Sequence, residues 1–304
     1  MAKFIFEVTK EEADIQLKQL IRKKYGFSSR LMTKIKQQHL LYLNDESVPG
    51  WLCAKEHDIV SIRLPEEKSD FPAEDIPLDV AYEDDDLLIL NKQPGVTVHP
   101  TRGHPEHTIA NGLMKYMQDT NQQFKIRFVN RLDMDTTGLL IVAKNSHAQD
   151  ELTKQMKANT TDKRYKAVVK GIVSEDEFTI NLPIGRPDSD SIRRSVLFDD
   201  RGYPSVTHVK TLERYDIDEG YSLVELQLET GRTHQIRVHM SHIGHPLLGD
   251  WLYEGPMERF PNRQALHAFE LSFNQPITGE RITVSANLPQ DIQELVEELR
   301  QYKI

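Results

Sequence analysis

Near the middle of the chain, Gly138-Leu139-Leu140-Ile141-Val142-Ala143 is a nearly unbroken apolar run, rich in branched side chains and ended by Lys144-Asn145. Such a run, closed off by polar residues, reads as a strand buried on both faces. The rest of the chain must therefore supply layers to cover it. The residues just before it are opposite in character: Arg131-Leu132-Asp133-Met134-Asp135-Thr136-Thr137 carries two carboxylates and a cation. A short polar loop anchored on a buried strand is held rigidly at one end, and chemistry is commonly placed on loops of that kind. On the residues alone, Asp133, Asp135, Thr136 and Thr137 could equally do no more than shape a turn through side-chain to backbone hydrogen bonds.

A chain of 304 residues can bury a sizeable core and is long enough for one large domain plus a small one. No apolar segment approaches the ~18–20 residues needed to span a bilayer. The amino terminus has no signal-peptide core and reaches an acid by Glu7. Cys53 is the only cysteine, which excludes an internal disulfide and a cysteine-based zinc site and fits a cytoplasmic address. The net charge of -9 argues at first against a nucleic-acid partner. Its distribution argues the other way, because residues 1–64 carry eleven Lys/Arg against eight Asp/Glu. Between Leu17 and Leu43 stand Lys18, Arg22, Lys23, Lys24, Arg30, Lys34 and Lys36 with no acid. A one-sided stretch gives a local positive field even on an acidic protein, although many such runs are only solvated helix faces.

Taken in order, Phe4 to Val8 reads as a strand. Thr9 and Glu12 read as a capping box that opens a helix over Ala13–Lys24. A second helix opens at Ser28-Ser29, followed by a strand from Leu40 to Leu43, a turn at Asn44-Asp45, and a strand from Ile59 to Leu64. From Pro65 to Asp86 there are ten Asp/Glu and one Lys, with Pro65, Pro72 and Pro77 among them. The first part of that segment, 65–77, reads as an extended, solvated linker. Beyond it come a strand near Asp86–Leu90, helices over Thr108–Tyr116 and Asn145–Lys157, and strands at Lys163–Lys170, Tyr221–Leu228 and Ile282–Ala286. A helix over Ile292–Tyr302 closes the chain. Strands and helices mix without βαβ regularity, which predicts an α+β fold with a largely antiparallel sheet.

The run Asn130-Arg131-Leu132-Asp133-Met134-Asp135-Thr136-Thr137-Gly138-Leu139-Leu140 resembles the catalytic loop of the RluA/RluD-type RNA pseudouridine synthases. That family's pattern begins His-Arg-Leu-Asp, and here Asn130 stands where His is usual. Asn cannot carry a proton's charge, so a proton-handling role at that position is in question. Three other stretches are similar to the family's remaining motifs: Asn91-Lys92-Gln93-Pro94-Gly95 through Val98-His99-Pro100, Lys163-Arg164-Tyr165-Lys166-Ala167, and Leu228-Glu229-Thr230-Gly231-Arg232-Thr233-His234-Gln235-Ile236-Arg237. Gly244–Asp250 and Leu266-His267-Ala268 are also family-like and read as structural support. Residues 1–64 resemble the S4 RNA-binding domain that often precedes the synthase domain, with Gln37-Gln38-His39 where a Gly is usual.

The resemblance implies a small S4-like domain at 1–64, an acidic Pro-containing linker at 65–77, and a pseudouridine synthase catalytic domain at 78–304. It implies an isomerase that needs no cofactor and no metal. Such an enzyme detaches uracil from C1′ of the ribose, rotates it and rejoins it through C5. Asp133 is then the catalytic carboxylate, Tyr165 the aromatic that stacks on an extruded base, and Arg237 the planar cation that pairs with Asp133. Arg131 would fill the vacated stack, Arg232 would meet phosphate or shape the pocket, and Ile236 would pack near the base. Lys18, Arg22, Lys23, Arg30 and Lys34 are the candidate RNA contacts of the first domain. Arg237 is expected on a different helical stripe from the Ile236/Met240 core face. The implied partner is RNA, large-subunit rRNA first and tRNA as the alternative, with no membrane and no obligate protein partner.

Two other readings compete, and a third, a purely structural protein, has no specific feature in its favour. One is an RNA-binding or ribosome-assembly factor without catalysis. The other is a metal-dependent hydrolase built on His234, His239, His242 and His245. The spacings of that cluster do not put all four rings on one helix face, and two of them belong to the family's metal-independent motifs.

Overall fold

A computed structural model describes residues 3–101, 103 and 105–304. The first group of elements is β1 (Lys3–Glu7), α1 (Leu17–Tyr25), α2 (Ser29–Gln37), β2 (Leu41–Leu43), β3 (Glu46–Ser47) and β4 (Ile59–Arg63). Its strands form an antiparallel sheet in the order β1-β4-β2-β3. Leu17, Leu20 and Ile21 of α1 and Leu31 and Ile35 of α2 pack on Phe4, Val60 and Ile62 in a separate apolar cluster. Asn44 and Asp45 both take positive φ, 49° and 68°, as a tight two-residue hairpin turn requires.

The first helix departs from the expectation of Ala13–Lys24. Half of the expected box exists, with Thr9 N donating to Glu12 Oε2 at 3.2 Å. The helix nevertheless starts only at Leu17, because Asp14 takes φ = 63° and breaks the run. The free amides of Leu17 and Lys18 donate instead to the carbonyls of Leu52 (2.9 Å) and Gly50 (2.8 Å). A tertiary partner has replaced the local cap.

The remaining elements are β5 (Val80–Glu83), β6 (Leu87–Lys92), α3 (Ile109–Asp119), β7 (Arg127–Phe128), β8 (Thr137–Ala143), α4 (Ser146–Lys157), β9 (Asp162–Lys170), β10 (Glu177–Asn181), β11 (Ile184–Gly185), β12 (Ser195–Val196), β13 (Val206–Tyr215), β14 (Tyr221–Leu228), α5 (Gln235–His242), β15 (Leu266–Asn274), β16 (Arg281–Ser285) and α6 (Gln290–Leu299). They build one large sheet in the order β10-β13-β14-β9-β15-β8-β6-β5, with β16 added on β15 and β7 on β8. Every pairing in it is antiparallel except β8 with β15. The α+β class with a largely antiparallel sheet is therefore what the chain adopts.

The apolar run Gly138–Ala143 forms most of β8, and all residues of that strand are buried. Leu140 and Val142 point to the side covered by Ile109, Leu113 and Met117 of α3. Leu139 and Ile141 point to the side covered by Ala148 and Leu152 of α4. Burying each such side chain contributes ~1.5–3 kcal/mol, so this two-sided burial fixes β8 as the central plank. Its first turn depends on one glycine. Gly138 has φ = 109°, and a Cβ there would lie 2.2 Å from the Ala268 carbonyl oxygen. Only glycine lets β8 and β15 meet in parallel immediately beyond the polar loop.

Residues 65–77 are extended, as expected, and alternate between exposed residues and residues anchored on the rest of the chain. Glu67 pairs with Lys34 at 2.8 Å and with Arg127, and Ser69 Oγ accepts from Ile126 N at 2.9 Å. Phe71 packs on the main core, and Asn111 Nδ2 donates to the Pro72 carbonyl at 2.9 Å. The segment is a strap tied to α3 and β7, in which Glu67 meets two cations that lie far away in the sequence.

Candidate active site

The loop between β7 and β8 carries Asp133 and is held by side chains from three other segments. Lys92, at the end of β6, donates to the Met134 carbonyl at 2.7 Å, and Arg263 donates to that of Asp135 at 3.2 Å. Gln264 Nε2 donates to Thr136 Oγ1 at 3.1 Å, and Thr137 Oγ1 pairs with His267 Nδ1 at 2.9 Å. Thr136 N closes the turn on the Asp133 carbonyl at 3.1 Å. Asn130 ties the front of the loop to β8: its Nδ2 donates to the Leu139 carbonyl (3.1 Å) and its Oδ1 accepts from Ile141 N (2.7 Å). A neutral amide supplies both a donor and an acceptor, so Asn130 serves as a backbone staple here.

Lys92 is almost wholly buried, and burial draws its ammonium down to about 7 against the opposing pull of Asp135 and Asp133. A neutral amine has two N–H groups, and Lys92 Nζ faces two carbonyls, those of Gln93 and Met134, both at 2.7 Å. The loop is thus fixed by a lysine that can satisfy both partners without a charge.

Asp133 looks across at α5. Arg237 Nη1 donates to Asp133 Oδ2 at 3.0 Å, while Arg237 Nε and Nη2 each donate at 2.7 Å to the two oxygens of Asp250. Arg237 is 6% exposed and Asp250 is fully buried, whereas the Asp133 side chain keeps 21% of its surface open. Burial alone would weaken the hold of Arg237 on its proton. Asp250 and Asp133 outweigh that effect, so the net shift is upward and the guanidinium stays charged. The fork-to-fork pairing with Asp250 sets the plane of Arg237, leaving Nη1 to reach Asp133.

Arg131, Asp133, Tyr165, Arg232, Ile236 and Arg237 all line one cleft. The sequence reading named these six as the catalytic and base-binding set. Tyr165 stands on β9 between Leu226 and Ala268 of the neighbouring strands and is buried to 8% exposure. Burial, with Asp133 adding its charge, pushes the phenol pKa upward, so Tyr165 enters the cleft as a neutral ring. Ile236 is buried on α5, while Arg131 and Arg232 stand exposed at the rim, Arg232 lying over the Tyr203 ring at 5.6 Å.

α5 begins at Gln235 with His234 as N-cap, and every residue from Gln235 to Met240 is buried. Arg237, one residue on from Ile236, lies on a different stripe of α5 from the Ile236/Met240 face, and that stripe is buried as well. Reading the sequence missed Asp250, grouped there with structural support, and Lys92, Arg263 and Tyr253. Of the clustered histidines, His239 pairs with Thr207 Oγ1 (2.9 Å) and the Leu182 carbonyl (3.0 Å), and His245 pairs with the Lys170 carbonyl (2.8 Å). Among the described residues no group of three or more His, Cys, Asp or Glu is arranged to hold a metal.

Lys18, Arg22, Lys23 and Arg30 lie exposed in the first group of elements. Lys34 is instead half-buried against Glu67 of the strap. No helix among the described residues is long and apolar enough to cross a membrane.

The model of the RNA pseudouridylate synthase family matches residues 86–242, which include both Asp133 and Arg237. The chain is 43% identical over 274 residues to the uncharacterized RNA pseudouridine synthase YjbO of Bacillus subtilis, covering 89% of this chain and 95% of that protein. It is 39% identical over 287 residues to the ribosomal large subunit pseudouridine synthase D of Haemophilus influenzae, covering 90% and 86% respectively. Among solved structures, human RNA pseudouridylate synthase domain containing 1 superposes with a TM-score of 0.58 at 28% identity, covering 76% of this chain and 98% of that one. The chain belongs to the RNA pseudouridine synthase family of RluA/RluD type. It is an isomerase that converts uridine in RNA to pseudouridine.

Proposed function

We propose that the enzyme modifies uridines in large-subunit ribosomal RNA, with Asp133 as its catalytic carboxylate. The observation that carries the assignment of Asp133 is its 3.0 Å bond to Arg237 inside a cleft that Tyr165 also lines. Relatives named as large-subunit rRNA synthases, such as that of Haemophilus influenzae, support the substrate class.

In this reading the target nucleotide leaves its helix, at a cost of a few kcal/mol for unstacking and unpairing. Arg131, exposed at the rim, fills the vacated stack. The base lies against the Tyr165 ring and Ile236, and Arg232 meets the backbone. The Asp133 carboxylate, gripped by Arg237, then acts on the nucleoside so that the C1′–N1 bond breaks. The freed uracil turns in the cleft, a C1′–C5 bond forms, C5 loses its hydrogen, and N1 ends protonated. No atom is gained or lost, so neither cofactor nor energy source is needed. Residues 1–64 act as an S4-like RNA-binding domain, with Lys18, Arg22, Lys23 and Arg30 against phosphates. The strap at 65–77 joins that domain to the catalytic domain at 78–304.

Because rejoining through C5 expels its hydrogen, release of tritium from RNA labelled at C5 of uridine measures the reaction. Release is expected from large-subunit rRNA and not from tRNA. Release from tRNA alone would overturn the substrate assignment, and release from neither pool or from assembling subunits would overturn the whole reading.

A further inference from the structure

Asp133 has a second neighbour that the reaction as described does not use. His234 Nε2 lies 3.8 Å from Asp133 Oδ1, on the opposite oxygen from the one that Arg237 holds. The ring is 11% exposed, and its residue takes a left-handed backbone conformation, φ = 57° and ψ = 22°, at the N-cap of α5. Such a conformation is costly for a residue with a Cβ, and residues held this way cluster where a side chain must be aimed. As an N-cap, His234 makes no side-chain hydrogen bond to its helix. Its ring is turned toward the cleft.

The other ring nitrogen identifies the tautomer. His234 Nδ1 lies 2.9 Å from the Tyr253 hydroxyl, and that hydroxyl oxygen already accepts the backbone N–H of Arg194 at 2.8 Å. Tyr253 is 2% exposed, so its single O–H proton needs an acceptor. Among the described residues, His234 Nδ1 is the other polar atom within reach of that hydroxyl. Tyr253 therefore donates to Nδ1, and a neutral imidazole with Nδ1 as acceptor carries its proton on Nε2, facing Asp133. The charged groups around the ring are Asp133, Asp250, Arg237 and Arg194. Burial, aided by the two arginines, outweighs the aspartates and favours the neutral ring.

We propose that His234 is a positioning residue for Asp133, a neutral Nε2–H donor that fixes the second carboxylate oxygen and is itself aimed by Tyr253. The chain runs from the backbone of Arg194, just before β12, through Tyr253 and His234 to Asp133. Arg237 and His234 then grip the carboxylate from both sides and set its plane toward the reacting sugar. The 3.8 Å separation tightens to a hydrogen bond once a nucleotide fills the cleft, as catalytic contacts commonly do on binding. This inference rests on Asp133 being the catalytic carboxylate.

Two measurements test it. Long-range proton–nitrogen NMR of the imidazole, assigned with the His234→Gln spectrum, should show neutral His234 protonated at Nε2 at pH 7. A proton on Nδ1, or an imidazolium, would overturn the proposal whether or not the enzyme turns over. Single-turnover tritium release is then compared for the wild type, Asp133→Asn, His234→Asn, His234→Gln and Tyr253→Phe. His234→Asn tolerates the left-handed backbone but withdraws the donor from Asp133. It should slow the chemical step ~10–100-fold, the scale of a small misplacement, with RNA affinity unchanged. His234→Gln, whose amide nitrogen reaches the Nε2 position, should restore most of the rate. Combining His234→Asn with Tyr253→Phe should add little to either single change, because both act through one chain. Wild-type rates in His234→Asn, with Asp133→Asn inactive, would overturn the inference alone. Turnover in Asp133→Asn would overturn the assignment of Asp133 and this inference with it.

Discussion

Asp250 gives the sharpest test of how the cleft is held together. It is fully buried, accepts both 2.7 Å bonds from Arg237, and accepts from Tyr253 N at 3.3 Å. In Asp250→Ala the guanidinium stays buried with only the single bond to Asp133. Removing one partner of a buried pair costs about 3–5 kcal/mol, because the remaining charge is stranded. At about 2–4 °C per kcal/mol for a domain of this size, Tm should fall by roughly 6–20 °C. Asp133→Ala also deprives Arg237 of a carboxylate, but Asp133 is partly open to water and contributes one bond at 3.0 Å. Solvent screening limits that loss to about 1 kcal/mol or less, a shift of a few degrees. Melting by circular dichroism at pH 7, for wild type and both variants, separates the two roles. Asp250→Ala melting within about 2 °C of wild type, or Asp133→Ala melting below Asp250→Ala, would refute the argument that Asp250 anchors Arg237.

Three further outcomes follow from the same geometry. Arg237→Lys should lower turnover by ~10²-fold with RNA affinity unchanged, since one ammonium cannot span two bonds to Asp250 and a third to Asp133; near-native kinetics would refute the shared fork. His267 is nearly fully buried against Thr137, and burial holds its pKa at about 4, below the ordinary 6.5. Between pH 6.5 and about 4 the unfolded chain binds a proton that the folded chain refuses, so stability falls as pH drops through that window and is unaffected above it. The full effect is ~3 kcal/mol, and His267→Gln should flatten that part of the wild-type pH–stability curve in urea melts. Replacing Lys18, Arg22, Lys23 and Arg30 one at a time by Gln should weaken RNA binding and reduce the slope of log affinity against log salt by ~1 each, with the rate on saturating RNA retained. An unchanged slope would remove that residue from the interface.

The residues legible in the sequence were those whose meaning is local or carried by a long motif. Gly138–Ala143 had to be a buried strand, and the loop before it had to be held by that strand. The polar residues that do the holding come from elsewhere. Asp250 sits within Leu247-Leu248-Gly249-Asp250-Trp251-Leu252-Tyr253, and a lone acid in an otherwise apolar run is a signal for a buried, paired carboxylate. Its partner, however, lies on α5, and only the fold brings the two together. Lys92 carries the same signal at the end of the apolar Leu87–Leu90 run. The sequence places the start of the first helix too early because Thr9 and Glu12 have the spacing of a local cap, whereas α1 starts where Leu17 and Lys18 donate to the loop at Gly50–Leu52. The acidic composition of 65–77 pointed to a solvated segment. Glu67 meets Arg127 sixty residues on, a pairing no window of sequence contains. Asn130 departs from the family's usual histidine, and its two bonds to the backbone of β8 give it a structural use that needs no proton.

The central claim is that Asp133 performs the isomerisation and that the rest of the cleft serves to hold it. The most direct measurement is single-turnover pseudouridine formation on large-subunit rRNA by wild type and Asp133→Asn, with RNA binding and melting measured on the same preparations. The account predicts that Asp133→Asn binds RNA as wild type does, melts within a few degrees of it, and forms pseudouridine ~10³-fold more slowly or not at all. Pseudouridine formation by Asp133→Asn at the wild-type rate would contradict it.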